Sequence, residues 1–269
     1  MIGAKDALMP HHHPLTFGKM LKLIRRQADL SQTDMAHAIG YKTIDRYRDF
    51  EDDRIQIPRD QLAVIGSGLL IDREAMGFLL YLGRYEPTDE EITLQQDKMA
   101  SELNSTTDIP VYLSTYDQRL VDVNDAAAEL FGLDREKVRR ERPSLISLIV
   151  RDELTDLEGA EEMMREHAAI FRQEALGLTR EKWFMQHFTQ IVFQNRLLSG
   201  LLNEISDGEA ARIANSSKYS NFRSIKYPVM NGEEPELRAF GRVTEQLTAD
   251  RRFEFTELFP QLALQIKAA

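Results

Sequence analysis

The stretch YKTIDRYRDF, residues 41–50, sets Lys42, Thr43, Asp45, Arg46 and Arg48 close together. A guanidinium offers a planar fork of donors that can bond a guanine edge in two places, and ammonium or hydroxyl groups near a helix N-terminus can hold phosphate oxygens. That set suits contact with nucleic acid. No comparable set suits catalysis. The chain has no Cys, which removes thiol nucleophiles, disulfides and Cys-based zinc sites. The paired acids Glu161-Glu162 and Glu233-Glu234 are adjacent in sequence, so they do not converge on one substrate. Neither a glycine-rich phosphate loop nor an HExxH helix is present. The chain is expected to bind and not to catalyse.

Histidine gives no better lead. His11 to His13 lie between Pro10 and Pro14 without periodicity, so they read as a leader and not as a metal site. His167 and His187 are the candidate axial ligands for a haem, but a single His on a helix is more often a surface or packing residue. Neither a metal nor a cofactor is expected.

The elements that would position Arg46 and Arg48 are legible. Thr16 can cap a helix from about Phe17 to Ala28 with Met20, Leu21 and Ile24 at helical spacing. Ser31 with Asp34 starts a second helix in the manner of a capping box, Met35, Ala36 and Ile39 form its inward stripe, and Gly40 ends it. A third helix is expected from about Thr43. Pro58 suits the first turn of a fourth, whose buried face is Leu62, Ile65 and Leu69, and REAMGFLLYLG completes a five-helix unit over 15–84.

Residues 85–107 form a helical linker with a Thr88 to Glu91 capping box and a seam of Ile92, Gln96, Met99 and Leu103. Two readings are open, a helix that pairs with its copy and a linker resting on its own domains. From Ile109 the period changes. IPVYLSTYDQRLVDVN reads as a hairpin, Asn124 caps DAAAELFG, and SLISLIV is either a strand or a buried helix. Two helices follow, AEEMMREHAAIFRQEALG and TREKWFMQHFTQIVFQNRLLSGLLNEI, before two alternating strands, LRAFGRVTEQLT and RFEFTEL. The expected fold is multidomain, an all-α unit followed over 108–269 by an α+β domain with an antiparallel sheet and a long helical segment.

Charge and hydropathy narrow the setting. Residues 16–70 hold nine Lys/Arg against eight Asp/Glu, whereas residues 71–269 hold 24 against 35, so the net charge of -10 resides in the second part. An acidic total does not veto phosphate contact by one near-neutral face. No stretch approaches a membrane span and the start lacks the order of a signal peptide, so a cytoplasmic protein without membrane contact is expected.

The first unit resembles the helix-turn-helix domain of the Cro and lambda-repressor class. The likeness rests on the run from Leu30 to Gly40, on Ile44 and Tyr47, and on Ile57 to Leu62. It implies double-stranded DNA as partner, with Gln32, Lys42, Thr43, Asp45, Arg46 and Arg48 as the contact residues and Ile44 with Tyr47 anchoring the recognition helix. Only Tyr41, Lys42 and Thr43 separate Gly40 from Ile44, fewer than the class usually places there, so a shortened turn is expected.

IPVYLSTYDQRLVDVNDAAAELFGL resembles the opening of a PAS domain, and the closing strands fit the other half of such a sheet. The whole order is similar to the MmyB-like bacterial transcription regulators. This implies a sensor domain for an apolar small molecule such as a fatty acid. The Cro-type class usually binds DNA as a dimer, and the Ile92, Met99 and Leu103 seam and the acidic C-terminal domain are the candidate contacts of a homodimer. Val111, Leu113, Phe184, Phe188, Val192, Phe253 and Phe255 are the candidate slot, with a filled core as the alternative. Arg223, Lys226, Arg238 and Arg242 are the candidate partners of a carboxylate head, and nothing in the sequence selects among them.

Overall fold

The computed structural model describes residues 15–215, 223–231 and 234–260. His11 to His13 lie outside the described residues. The chain forms two compact units. Among the described residues, one runs to Tyr85 and also takes in Leu247–Arg252, and the other consists of the described part of Glu86–Gln246 together with Phe253–Pro260.

The first unit is helical, with α1 Phe17–Gln27, α2 Gln32–Ala38, α3 Asp45–Glu51, α4 Arg59–Gly68 and α5 Arg73–Leu82. Its starts are written in side chains. Thr16 Oγ1 accepts from the amide of Lys19, Ser31 and Asp34 form a reciprocal capping box, and Asp72 accepts from the amide of Ala75. Met20, Leu21, Ile24, Met35, Ala36, Tyr47, Phe50, Ile57, Leu62 and Leu79 fill the core. Gly18 sits where α1 crosses α3, and a Cβ there would lie 2.3 Å from the carbonyl oxygen of Glu51. Leu247–Arg252 completes this unit. Arg252 is fully buried, its Nε and Nη2 donate to Asp250 at 2.9 and 2.6 Å, and its Nη1 donates to the carbonyl of Tyr85 at 3.4 Å.

The second unit is mixed α+β. Its order is α6 Asp89–Ser105, β1 Val111–Thr115, β2 Leu120–Val123, α7 Asp125–Phe131, α8 Arg135–Glu141, α9 Leu145–Ile149, α10 Ala160–Leu176, α11 Lys182–Gln194, α12 Arg196–Glu204, α13 Asp207–Asn215, β3 Arg223–Asn231, β4 Glu234–Gln246 and β5 Phe253–Pro260. The sheet is antiparallel in the order β2-β1-β5-β4-β3, so the first and last strands meet at its centre. Asn124 caps α7 and Gly132, at φ 63°, ends it, as its sequence predicts. SLISLIV forms the short helix α9.

Three expectations need correction. The long helix from Thr179 is broken in two, because Asn195 caps the start of α12 by accepting from the amide of Leu198 while its amide group donates to the carbonyl of Val150 at 2.6 Å. The linker at 85–107 is not separate, since α6 belongs to the second unit and packs against β1 and β2. Its seam is not free to pair with a copy, because Ile92 and Leu103 are buried within the chain and Gln96 donates to the carbonyl of Val121 at 2.8 Å.

Candidate nucleic-acid interface and sensor interior

The helix, turn and helix of the first unit are built around one buried ion pair. Arg25 on α1 donates from Nε and Nη2 to Glu51 at the end of α3, at 2.6 and 3.1 Å, and from Nη1 to the carbonyl of Leu30 at 2.8 Å. Gln32 joins it through a 2.8 Å bond to the same carboxylate. Burial pushes the Glu51 carboxyl up, but the bonds from Arg25 and Gln32 and the Arg25 charge outweigh it and hold the group below the usual carboxylate range. Gln32 is therefore half-buried and committed to the α1–α3 junction, not free at the surface.

Between α2 and α3, Gly40 takes φ 86° and the amide of Tyr41 donates to the carbonyl of Ala36 at 2.8 Å. This is the tight turn that a residue without Cβ permits. The anchors of α3 differ from expectation. Tyr47 and Phe50, one helical turn apart, are both fully buried, whereas Ile44 is half-exposed and occupies the N-cap. The turn is accordingly not shortened, since Tyr41 to Arg46 all precede the first buried residue of α3. Phe50 was the missed signal, for the Tyr47 and Phe50 pair fits the helical period directly.

This register leaves Lys42, Thr43, Asp45, Arg46 and Arg48 exposed on the side away from the core. Arg48 pairs with Asp45 at 3.3 Å, and Arg54 with Asp49 at 3.2 Å and Asp52 at 3.4 Å. All three acids sit on or beside α3, so the face is mixed in charge. Arg46 makes no ion pair among the described residues. Exposed pairs of this kind contribute little to stability, so they leave both guanidinium groups able to turn toward another partner.

In the second unit the strand register divides the expected slot. Val111 lies opposite Glu257, Leu113 opposite Phe255 and Thr115 opposite Phe253, so Val111, Leu113, Phe253 and Phe255 share one face of the sheet. Tyr112, Ser114, Glu254, Thr256 and Leu258 share the other, and Arg242 and Thr244 join them through their pairing with Leu258 and Thr256. The helical part of the slot belongs with this second face. Phe188 stacks on Phe171 of α10 with ring centroids 5.9 Å apart, Phe184 lies 5.8 Å from Phe188, and Val192 packs on the same core cluster, which contains Tyr112, Tyr227, Phe240 and Leu258. The four strand residues cannot line one slot with the three helix residues, because strand side chains alternate between faces. Val111, Leu113 and Phe253 are fully buried, as are Tyr112 and Leu258, so both faces of the central strands are covered.

The face toward α10 holds polar groups that sequence reasoning did not place there. Arg242 donates from Nε to Thr244 at 3.0 Å, and Thr244 and Thr256 share a 2.9 Å bond. Glu174 of α10 accepts from Gln118. Burial pushes Glu254 up, and Glu174 raises it further against the opposing pull of Arg242, to about 7. Burial likewise works against the Arg242 charge, but Tyr112, Tyr227, Glu174 and Glu254 around it keep it positive and raise its pKa. Of the four cations considered for a carboxylate head, Lys226 and Arg238 are exposed and Arg238 pairs with Glu236. Arg242 alone among those whose side chains are described faces the interior.

The two histidines have other partners. His167 is buried, its Nε2 meets the carbonyl of Lys226 at 2.9 Å and its ring lies edge-on to Tyr227, while His187 Nε2 is 3.2 Å from Glu86. The described residues contain no group of three or more His, Cys, Asp or Glu that can hold a metal, and no described helix is long and apolar enough to cross a membrane. No protein-family model matches the chain, and no curated protein matches it.

Proposed function

We propose that this protein is a sequence-specific DNA-binding transcription regulator, not an enzyme, whose second, PAS-like unit binds an apolar small molecule and conveys its presence to the DNA-binding unit. The observation that carries the first part is the geometry of α3. Tyr47 and Phe50 fix one side in the core, and Lys42, Thr43, Asp45, Arg46 and Arg48 stand exposed on the other. A helix held in this way presents side chains of the length and chemistry that read base edges in a major groove. Gln32 acts at one remove, orienting the helices through Glu51. Selection from random duplexes tests the reading. The full chain should enrich one sequence family, and recovery of unenriched duplex after repeated rounds would contradict it.

The ligand reading rests on the face of the sheet toward α10, where Phe188, Ile191 and Val192 of α11 are only partly buried against the core cluster. A fatty acid is the class of molecule this combination of apolar walls and an interior cation suits best. Mass spectrometry of an organic extract of the purified protein should find a lipid near one molecule per chain. A second reading, in which the second unit is a ligand-free association module, is favoured by Phe193, which is 82% exposed on α11. A cytoplasmic homodimer is part of the proposal under both readings, since such DNA-binding units usually engage two half-sites. With the α6 seam covered, its contact falls to the remaining surface of the second unit.

A further inference from the structure

We propose that Leu247–Arg252, the connection between β4 and β5, is a latch on α5 through which the state of the second unit's sheet sets the DNA affinity of the helical unit. The proposal rests on the reading that the first unit binds DNA and the second a small molecule, and it assigns the segment that couples the two events.

The connection is built to dock. Antiparallel strands are commonly joined by tight turns that stand in solvent, but here Arg252 is fully buried and Asp250 nearly so. The Asp250 carboxylate accepts from the amide, Nε and Nη2 of Arg252 at 3.1, 2.9 and 2.6 Å, so the connection holds its own shape. Arg252 Nη1 then reaches the carbonyl of Tyr85, the last residue of the helical unit before the chain enters the second. Burying a charged pair costs desolvation, and a connection that only reverses the chain has no need of it. On α5 the match is Gly77, which stands in the helix interior, where alanine is the better helix residue. The carbonyl of Ala249 takes the place of its missing side chain, since a Cβ there would lie 2.1 Å from that oxygen. Beside it the Arg251 guanidinium lies 4.7 Å over the ring of Phe78.

Both ends of the latch are tied to working parts. β4 and β5 stay paired up to it, through Glu245 with Phe255 and Gln246 with Glu254, and Thr244 shares a hydrogen bond with Thr256. Phe240 of β4 and Leu258 of β5 belong to the core cluster on which Phe188, Ile191 and Val192 are only partly buried, so a molecule entering there displaces the strands that carry the latch. On the helical side, Leu79 and Leu80 of α5 lie in the same core as Tyr47 and Phe50, the anchors of α3. Backbone packed on backbone leaves no flexible side chain to absorb a shift, and close-packed contacts switch between arrangements more readily than they deform. The latch is engaged or released, and release loosens the core that holds α3.

Amide exchange and duplex titration of the full chain, with decanoate and the selected duplex as probes, test this. Gly77→Ala should speed exchange over 247–252 by at least about tenfold while the circular dichroism stays helical. Its duplex affinity should fall by at least about fivefold, although Gly77 is not on α3. In the native chain, saturating decanoate should change duplex affinity by at least about fivefold, and the duplex should change decanoate affinity by the same factor. In Gly77→Ala both factors should fall to about one, with decanoate alone bound as before. Arg251→Ala should act in the same direction with a smaller loss, and it keeps the test where Gly77→Ala fails to fold. Faster exchange over 247–252 with duplex affinity and its response to decanoate unchanged makes the connection a structural plug and overturns the latch, and so does unchanged exchange there. If no duplex is selected, the DNA reading fails, and the latch stands or falls on whether decanoate alters exchange in α5 and Gly77→Ala abolishes that effect. If decanoate does not bind, the ligand reading fails, and the latch is judged on whether the duplex protects 247–252. Binding of neither overturns both readings and the latch with them.

Discussion

At Glu51 and Glu254 the same influence, burial, works against the charged form, and the neighbours decide opposite outcomes. Arg25 and Gln32 hold Glu51 below the usual range, so its pair contributes stability that is present above the unfolded-state value and lost as pH falls through the lowered folded value. Glu254 rises from 4.5 to about 7, so between those values the folded state binds the proton that the unfolded chain releases. Stability of the second unit should therefore decline as pH rises across that window. Urea unfolding of Glu254→Gln should lack this decline, and an unchanged slope would contradict the assignment. Removing one partner of a buried pair typically costs about 3 to 5 kcal/mol, and Glu51→Ala should lower the stability of the first unit by about that much. A loss under about 1 kcal/mol would show that the pair is solvated.

Elements with side-chain starts and stops were legible in the sequence, because a cap acts within one turn of the residue that forms it. Thr16, Ser31, Thr88 and Asn124 were each read as a helix start and each is one. Asn195 was overlooked for the opposite reason. An apolar stripe continues across it, and a cap in mid-run signals a break only when its amide finds an acceptor, here the carbonyl of Val150. Asn195→Ala should cost about 0.5 to 2 kcal/mol in the second unit, measured by urea unfolding, and a neutral result would contradict the role. The edge strand β3 was missed because Pro228 interrupts the alternation of Ile225, Tyr227 and Val229, and proline is tolerated there since an edge strand has an unpaired side. RFEFTEL failed differently. Its alternation was read from Phe253 and Phe255 alone, but both faces of the central strands are covered, so Thr256 is as fully buried on one face as Phe253 is on the other.

On the scale of the whole molecule, the charge asymmetry and the change of period near residue 108 announced two units, but not that the first is discontinuous. Ala249, Asp250 and Arg252 complete the helical unit from far along the chain, and a Cβ at Gly77 would lie 2.1 Å from the carbonyl oxygen of Ala249. No local pattern encodes such a contact. Arg252→Ala should lower the melting temperature of the helical unit, followed by amide exchange in α5, and full retention of exchange protection there would contradict this assignment.

The central claim is DNA recognition by the exposed face of α3, and titration of the full chain against its selected duplex at several salt concentrations tests it most directly. Arg46→Ala should cost about 1 to 3 kcal/mol on that duplex if the guanidinium reads a base, and Arg48→Ala should lower the salt slope by about one if it holds a phosphate. The reverse division of roles would leave the face intact. Affinity and salt slope that are unchanged in both variants would contradict the account.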